Sequence, residues 1–101
     1  MFGIQETVYH NLMNYFTAKD TILQVILFGS RAKNTASFRS DIDLCIVYNG
    51  NTKASIKEDI DELVGIYSCD IVFTDQLNSE MKKQIERDGI VIYRKDRTEV
   101  N

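Results

Sequence analysis

Proline is absent from this sequence, and so are low-complexity segments, internal repeats and any stretch with the composition of a linker. The 101 residues are enough to bury one hydrophobic core, with little surplus for a second. Residues 1–101 are therefore interpreted as a single domain. The charged segment 94–101 is expected to be a frayed tail.

Long apolar runs are missing as well. No run approaches the roughly 20 apolar residues that a membrane-spanning helix needs. The N-terminal residues also lack the basic and then apolar plan of a secretory signal. These two absences predict a cytoplasmic protein that makes no contact with a membrane.

Basic residues are few and form no block. The chain has 12 Lys and Arg against 15 Asp and Glu, and its pI is about 5.0. A protein that binds DNA or RNA unaided normally carries a basic surface, because neutralising phosphates supplies much of the affinity. The charge pattern argues against direct binding of nucleic acid.

Only two cysteines are present. Cys45 and Cys69 lack the spacing of metal ligands, which argues against a structural zinc site. By strand alternation Cys45 points the same way as Asp41 and Asp43, whereas Cys69 points opposite to Asp70. If the three aspartates share one face of a sheet, the cysteines lie on opposite faces, and a disulfide is geometrically difficult.

The pattern of apolar residues alternates between helical and extended periods, which predicts an α/β fold with helices packed on a small sheet. A capping box of Ser55 and Glu58 is expected to start one helix, and Gly65 to stop it. The predicted order is a helix over 4–18, a strand over 21–28, a short helix over 30–33, a strand over 41–48, a helix up to Gly65, a strand over 66–74, a helix closed by Gly89 and a strand over 90–93.

The most informative stretch joins the first two predicted strands. Asp41 and Asp43 are two apart on a strand, so their side chains stand together on one face. Adjacent carboxylates repel, and a hard divalent cation such as Mg²⁺ relieves the repulsion and also ligates substrate phosphates. Gly29 and Ser30 provide a turn whose backbone can approach a phosphate closely. Together they predict a phosphate-binding turn facing a metal site, the alternatives being an ordinary turn and solvated carboxylates.

Three cations lie in the loop between the turn and the carboxylates. Arg31 directly follows the turn, and its forked guanidinium is predicted to bind a triphosphate. For Lys33 and Arg39, a charge that is simply solvated in the loop is as good an interpretation as a functional role.

Gly29-Ser30 followed ten residues later by Asp41-Ile42-Asp43 resembles the signature of the nucleotidyltransferase superfamily related to DNA polymerase beta. The short chain is similar to its minimal nucleotidyltransferase (MNT) branch, over residues 23–94. From average residue usage, the pattern arises by chance in about one 100-residue chain in a thousand. One departure is Lys33-Asn34, where many relatives carry Arg-Gly. Asparagine tolerates left-handed backbone, so the turn is expected to survive.

The resemblance implies a mixed, palm-like sheet with a third carboxylate from a later strand, for which Asp70 is the candidate. Asp41, Asp43 and Asp70 would then be catalytic and hold two Mg²⁺ ions, one on the nucleotide and one at the acceptor oxygen. Gly29 and Ser30, with Arg31, would bind the outer phosphates of the nucleotide.

The implied activity is the transfer of a nucleoside monophosphate, with AMP from ATP as the expected case, to an acceptor hydroxyl. Proteins of the MNT branch commonly act beside a HEPN-domain ribonuclease toxin as its antitoxin, by adenylylating a tyrosine. Two alternatives stay open: a non-catalytic module that masks a HEPN partner, and a nucleotidyltransferase for small molecules such as aminoglycosides. A complete carboxylate trio favours catalysis over masking, and the absence of a domain that would bind a small acceptor disfavours the last alternative.

Overall fold

Four strands and three helices make up the computed structural model, which describes residues 1–37, 39–51 and 53–95. No helix within these ranges is both long and apolar enough to cross a membrane. The elements follow in the order α1 (Glu6–Ala18), β1 (Ile22–Phe28), β2 (Ile42–Tyr48), α2 (Lys53–Leu63), β3 (Cys69–Phe73), a 3-10 turn (Thr74–Gln76), α3 (Ser79–Asp88) and β4 (Ile90–Arg94).

The strands form one mixed sheet in the order β3-β2-β1-β4. β2 and β3 run parallel, joined through α2, whereas β1 runs antiparallel to both β2 and β4. The predicted α/β fold and the mixed sheet are therefore confirmed. Because β1 and β2 occupy the centre of the sheet, the loop between them, residues 29–41, emerges at the middle of one sheet edge.

α1 and α2 contact each other, and their buried side chains form one core with the buried residues of the sheet. The strand register places Leu27, Leu44 and Ile71 side by side in one row across three strands, and all three are buried. These two helices bury the apolar stripes that their sequences predict. Their fully buried members are Leu12 and Phe16 on α1 and Ile56 and Ile60 on α2.

The opposite face is more open. Phe28, Asp43 and Asp70 form the neighbouring row there, one residue away from the buried row. α3 contacts β1, and none of its residues is fully buried. At the end of α3, a Cβ on Gly89 would lie 2.9 Å from Cγ2 of Ile26, so this helix reaches the sheet beside the row of aspartates.

The short helix predicted over 30–33 is not formed. The backbone N–H of Lys33 donates to the carbonyl of Gly29 at 3.2 Å, and that of Thr35 donates to Ser30 at 2.9 Å, so the segment is a single irregular turn. Gly29 and Asn34 both have left-handed backbone, with φ of 78° and 61°. Since helical residues cannot adopt this conformation, only four residues remain between them, too few for a helix.

The helix over residues 53–63 differs from the prediction at its start and agrees at its end. α2 begins at Lys53, so Ser55 lies inside the helix and the predicted capping box of Ser55 and Glu58 is wrong. A capping box is a local pattern that also occurs by chance within helices. Gly65 has a φ of 61°, the left-handed conformation in which helices commonly end.

Ordered strand pairing extends closer to the C-terminus than predicted. β4 continues to Arg94, and the backbone N–H of Lys95 donates to the carbonyl of Leu23 at 2.8 Å. The expectation of fraying is therefore wrong for these two residues, because pairing with β1 satisfies their backbone groups. The rest of the predicted tail, 96–101, lies outside the described residues.

Both cysteines are free. Cys69 lies opposite Ile42 in the β2–β3 register, whereas Cys45 lies opposite Val72, one residue out of step. Adjacent residues on a strand point to opposite faces, so the two thiols lie on opposite sides of the sheet, as predicted.

Candidate active site

Asp43 is the centre of the candidate site. It lies directly opposite Phe28 on one neighbouring strand and Asp70 on the other. Asp43 is half-buried, whereas Asp70 and Asp41 are exposed. Asp41 comes just before β2 and shares the parity of Asp43. The sheet therefore sets two of the predicted carboxylates side by side, with the third two residues earlier.

The carboxylates disturb one another. The pKa of Asp43 is raised to about 6, chiefly because burial disfavours its charged form and secondarily because Asp70 and Asp41 repel it. The positive charge of Arg31 opposes this rise. Asp43 thus sits where a negative charge is costly unless a proton or a cation compensates it.

Gly29 lies against this carboxylate. A Cβ at this position would collide with Oδ2 of Asp43 and lie 3.0 Å from its Cγ. The residue also has a φ of 78°, which favours glycine. Glycine is thus required here twice, by its backbone conformation and by the close approach of Asp43. The sequence predicted the glycine for phosphate binding, and this contact with Asp43 was not foreseen.

The turn after Gly29 leaves some of its backbone amides without a partner inside the turn. Its internal hydrogen bonds begin with the N–H of Lys33, so the N–H groups of Ser30 and Ala32 have no partner within the turn. Ser30 is half-buried, and its carbonyl accepts from the N–H and the hydroxyl of Thr35. Amides left open at the start of a turn suit an anionic ligand.

Arg31 has partners that the sequence did not indicate. The residue is only 2% exposed. Its Nη1 donates to the carbonyl of Phe2 at 3.0 Å and its Nη2 to the carbonyl of Ser40 at 2.7 Å. Its guanidinium carbon lies 5.2 Å from the centre of the Tyr67 ring. The predicted contact with a triphosphate stays a prediction, and in this conformation the guanidinium is directed into the protein.

The donor atoms suit a divalent cation in their chemistry. Within the described part of the chain, no three Asp, Glu, His or Cys side chains already converge on one point at the spacing of a metal centre. The oxygens of Asp41, Asp43 and Asp70 are nevertheless the hard ligands that Mg²⁺ prefers. Burial and the neighbouring carboxylates raise the pKa of Asp43 despite the positive charge of Arg31, and a bound cation would favour its charged form.

Known structures with a similar fold include three of particular interest. A chain from a toxin–antitoxin complex with AMP-PNP is 15% identical with a TM-score of 0.66, covering 90% of this chain and 75% of that one. A chain from the complex of a tri-AMPylated Shewanella oneidensis HEPN toxin with its MNT antitoxin is 13% identical with a TM-score of 0.63, covering 90% and 74%. A protein provisionally described as a minimal nucleotidyltransferase is 26% identical with a TM-score of 0.54, covering 81% and 83%.

Sequence comparison adds the family. No curated protein matches the chain by sequence. The family model described as polymerase beta nucleotidyltransferase, however, matches residues 10–98, which contain β1, the turn at Gly29, and the aspartates of β2 and β3. The match spans most of the sequence and agrees with the fold. The chain therefore belongs to the polymerase beta nucleotidyltransferase family.

Proposed function

We propose that this protein transfers AMP from ATP to a hydroxyl of a partner protein in a Mg²⁺-dependent reaction. The observation that carries the proposal is the register of β2 and β3, which sets Asp43 directly opposite Asp70. The backbone of Gly29 packs against the same Asp43 carboxylate. A phosphate held by this turn would thus lie next to the carboxylate cluster.

Asp41, Asp43 and Asp70 would hold the metal. When bound, Mg²⁺ neutralises phosphate charge and lowers the pKa of the acceptor hydroxyl. The N–H groups of Ser30 and Ala32, which have no partner within the turn, would bind the outer phosphates. They would thereby orient the pyrophosphate leaving group away from the acceptor. The acceptor hydroxyl would lose its proton to solvent and its oxygen would form the new bond to the α-phosphorus, as the bond from that phosphorus to pyrophosphate breaks.

The acceptor we propose is a tyrosine of a HEPN-domain toxin, which the protein would silence as an antitoxin. Support comes from the similarity in fold to chains of toxin–antitoxin complexes, one of which contains an AMPylated HEPN toxin. At 13% identity this similarity shows the fold alone, and the acceptor is inferred by analogy.

The proposal is tested by co-expression with a HEPN protein encoded by a neighbouring reading frame, followed by intact-mass spectrometry of that partner. The protein should add AMP to the partner, and peptide mapping should place the adduct on tyrosine. Asp70→Asn should keep binding of a non-hydrolysable ATP analogue, because Asp41 and Asp43 remain, but leave the partner unmodified. Asp20→Asn is the matched control, since this side chain is 97% exposed and, among the described residues, pairs only with Lys95.

Two results would contradict the proposal. If the partner is neutralised equally by the protein and by Asp70→Asn with no adduct in either case, the protein is a masking module. If labelled ATP modifies a small hydroxyl compound and no protein, the acceptor class is wrong while nucleotidyl transfer itself stands.

A further inference from the structure

One buried side chain connects the separate segments that surround the aspartates. The guanidinium of Arg31 donates to Phe2 in the N-terminal turn and to Ser40 in the loop before β2, and it lies over the ring of Tyr67 in the loop before β3. Ser40 immediately precedes Asp41, and Tyr67 is three residues before Asp70. The guanidinium of Arg31 therefore contacts both the loop that leads to Asp41 and the loop that leads to Asp70.

The N-terminal turn is shaped to receive this guanidinium. Phe2 and Gly3 both have left-handed backbone, with φ of 57° and 75°. A Cβ on Gly3 would lie 2.9 Å from Nη1 of Arg31. The turn is fastened a second time, because the backbone N–H of Gln5 donates to the hydroxyl of Tyr67 at 3.1 Å. A phenylalanine with positive φ is uncommon, so tertiary contacts must stabilise this conformation of Phe2.

The two loops are also joined to each other next to the site. The backbone N–H of Ile42 donates to the carbonyl of Ser68 at 2.8 Å. Ile42 lies between Asp41 and Asp43, and Ser68 follows Tyr67. Weaker contacts of Arg31 with Ser40 or Tyr67 would therefore also weaken the hydrogen bond between Ile42 and Ser68. The donor of this bond lies between Asp41 and Asp43.

We propose that Arg31 is a positioning residue that couples the N-terminal turn, residues 1–5, to the two loops that carry Asp41 and Asp70. The N-terminal turn is then part of the framework of the active site, although it contains none of its chemical groups. The proposal deepens the transfer reaction proposed above and depends on it only for the effect on rate. A displacement of reacting groups by about 1 Å costs up to about a hundredfold in rate, so such a framework matters.

Two variants test the coupling from opposite ends. Arg31→Lys keeps the charge and loses the planar fork that reaches two carbonyls at once. Gly3→Ala keeps the guanidinium and disturbs the turn that accepts it, through both its positive φ and the Cβ contact. Thr17→Gly is the control, because it weakens the exposed far end of α1. Among the described residues, the Thr17 hydroxyl donates only to the carbonyl of Met13 in the same helix.

The first measurement is amide hydrogen exchange by NMR in metal-free protein, read at the N–H of Ile42. Both Arg31→Lys and Gly3→Ala should accelerate this exchange by about tenfold, although Gly3 is 39 residues away in sequence. Thr17→Gly should leave it unchanged. Unchanged exchange at Ile42 in Gly3→Ala overturns the proposal, whatever the reaction turns out to be.

The second measurement separates positioning from phosphate binding. Calorimetry with Mg²⁺ and a non-hydrolysable ATP analogue should give affinities for both variants within about threefold of the parent, while AMP transfer to the co-expressed partner at saturating ATP falls by about tenfold or more. If affinity falls as much as the transfer rate and the exchange at Ile42 is unchanged, Arg31 is a phosphate ligand and the proposal is wrong. If the parent transfers AMP to no acceptor, the proposed function fails, and the exchange measurement still decides the coupling.

Discussion

Two adjacent rows of residues on the same three strands differ in burial and in charge. Leu27, Leu44 and Ile71 form the row under α1 and α2, and each is at most 8% exposed. One residue along, Asp43 and Asp70 form the row on the other face, with Asp43 half-buried beside another carboxylate. The first row stabilises the fold, whereas the second places like charges together, which disfavours the charged form of Asp43.

The largest expected effect comes from replacing the carboxylates on the face that carries Asp43 and Asp70. Replacing Asp41 and Asp43 together by asparagine should abolish both AMP transfer and the calorimetric binding of Mg²⁺ with a non-hydrolysable ATP analogue, because the charged oxygens proposed to hold the ion would be lost. Thermal unfolding of the metal-free double variant should show no loss of stability, since the repulsion is relieved. Unchanged affinity in a folded double variant would contradict the metal assignment.

Substitutions in the two rows should change the free energy of unfolding in opposite directions. Leu44→Ala should lower the free energy of unfolding by about 2–5 kcal/mol, because it leaves a cavity in a fully buried site. Its neighbour Asp43→Asn should raise the unfolding free energy of the metal-free protein near pH 7, since the amide carries no charge to bury or repel. Urea unfolding of both variants measures the difference, and a destabilised Asp43→Asn would show that its carboxylate has a favourable partner.

A pair of glycines isolates the contact between the turn and Asp43. Gly29 and Gly65 have similar φ values, 78° and 61°, so alanine costs about 1–2 kcal/mol of backbone strain at each. Only Gly29→Ala also brings a Cβ into the Asp43 carboxylate, whereas the space around Gly65 is open. Gly29→Ala should therefore be the less stable of the two and should alone weaken binding of the ATP analogue. Equal effects in calorimetry and in thermal unfolding would mean that the contact is unimportant.

The last expected effect is a pH dependence of stability in the metal-free protein. The pKa of Asp43 is raised from 3.8 to about 6, so between these values the folded protein retains a proton that the unfolded chain has released. This contribution to stability is complete below about pH 4 and is lost as the pH rises through 6. Melting temperatures of the parent, with EDTA, should therefore fall relative to those of Asp43→Asn from pH 4 to 7. A constant difference would show that Asp43 titrates normally.

Local patterns predicted most of the fold because the physics behind them is local. The helices and strands follow from the spacing of apolar residues, and the positive φ of Gly29, Asn34 and Gly65 follows from residue type. The predictions that failed also used local patterns, but there another interaction was stronger. Left-handed backbone at Gly29 and Asn34 left no room for the short helix, and α2 starts two residues before Ser55.

For the candidate site, the sequence by itself determined the parity of Asp41 and Asp43 and the glycine beside them, because alternation along a strand and backbone freedom depend only on neighbouring residues. It suggested Asp70 through a resemblance, but only the parallel register of β2 and β3 brings Asp70 opposite Asp43. The burial of Arg31 was likewise decided by tertiary structure, since its partners Phe2 and Tyr67 lie 29 and 36 residues away in sequence. Contacts of this kind depend on how the whole sheet and its loops pack, and no local pattern of residues encodes them.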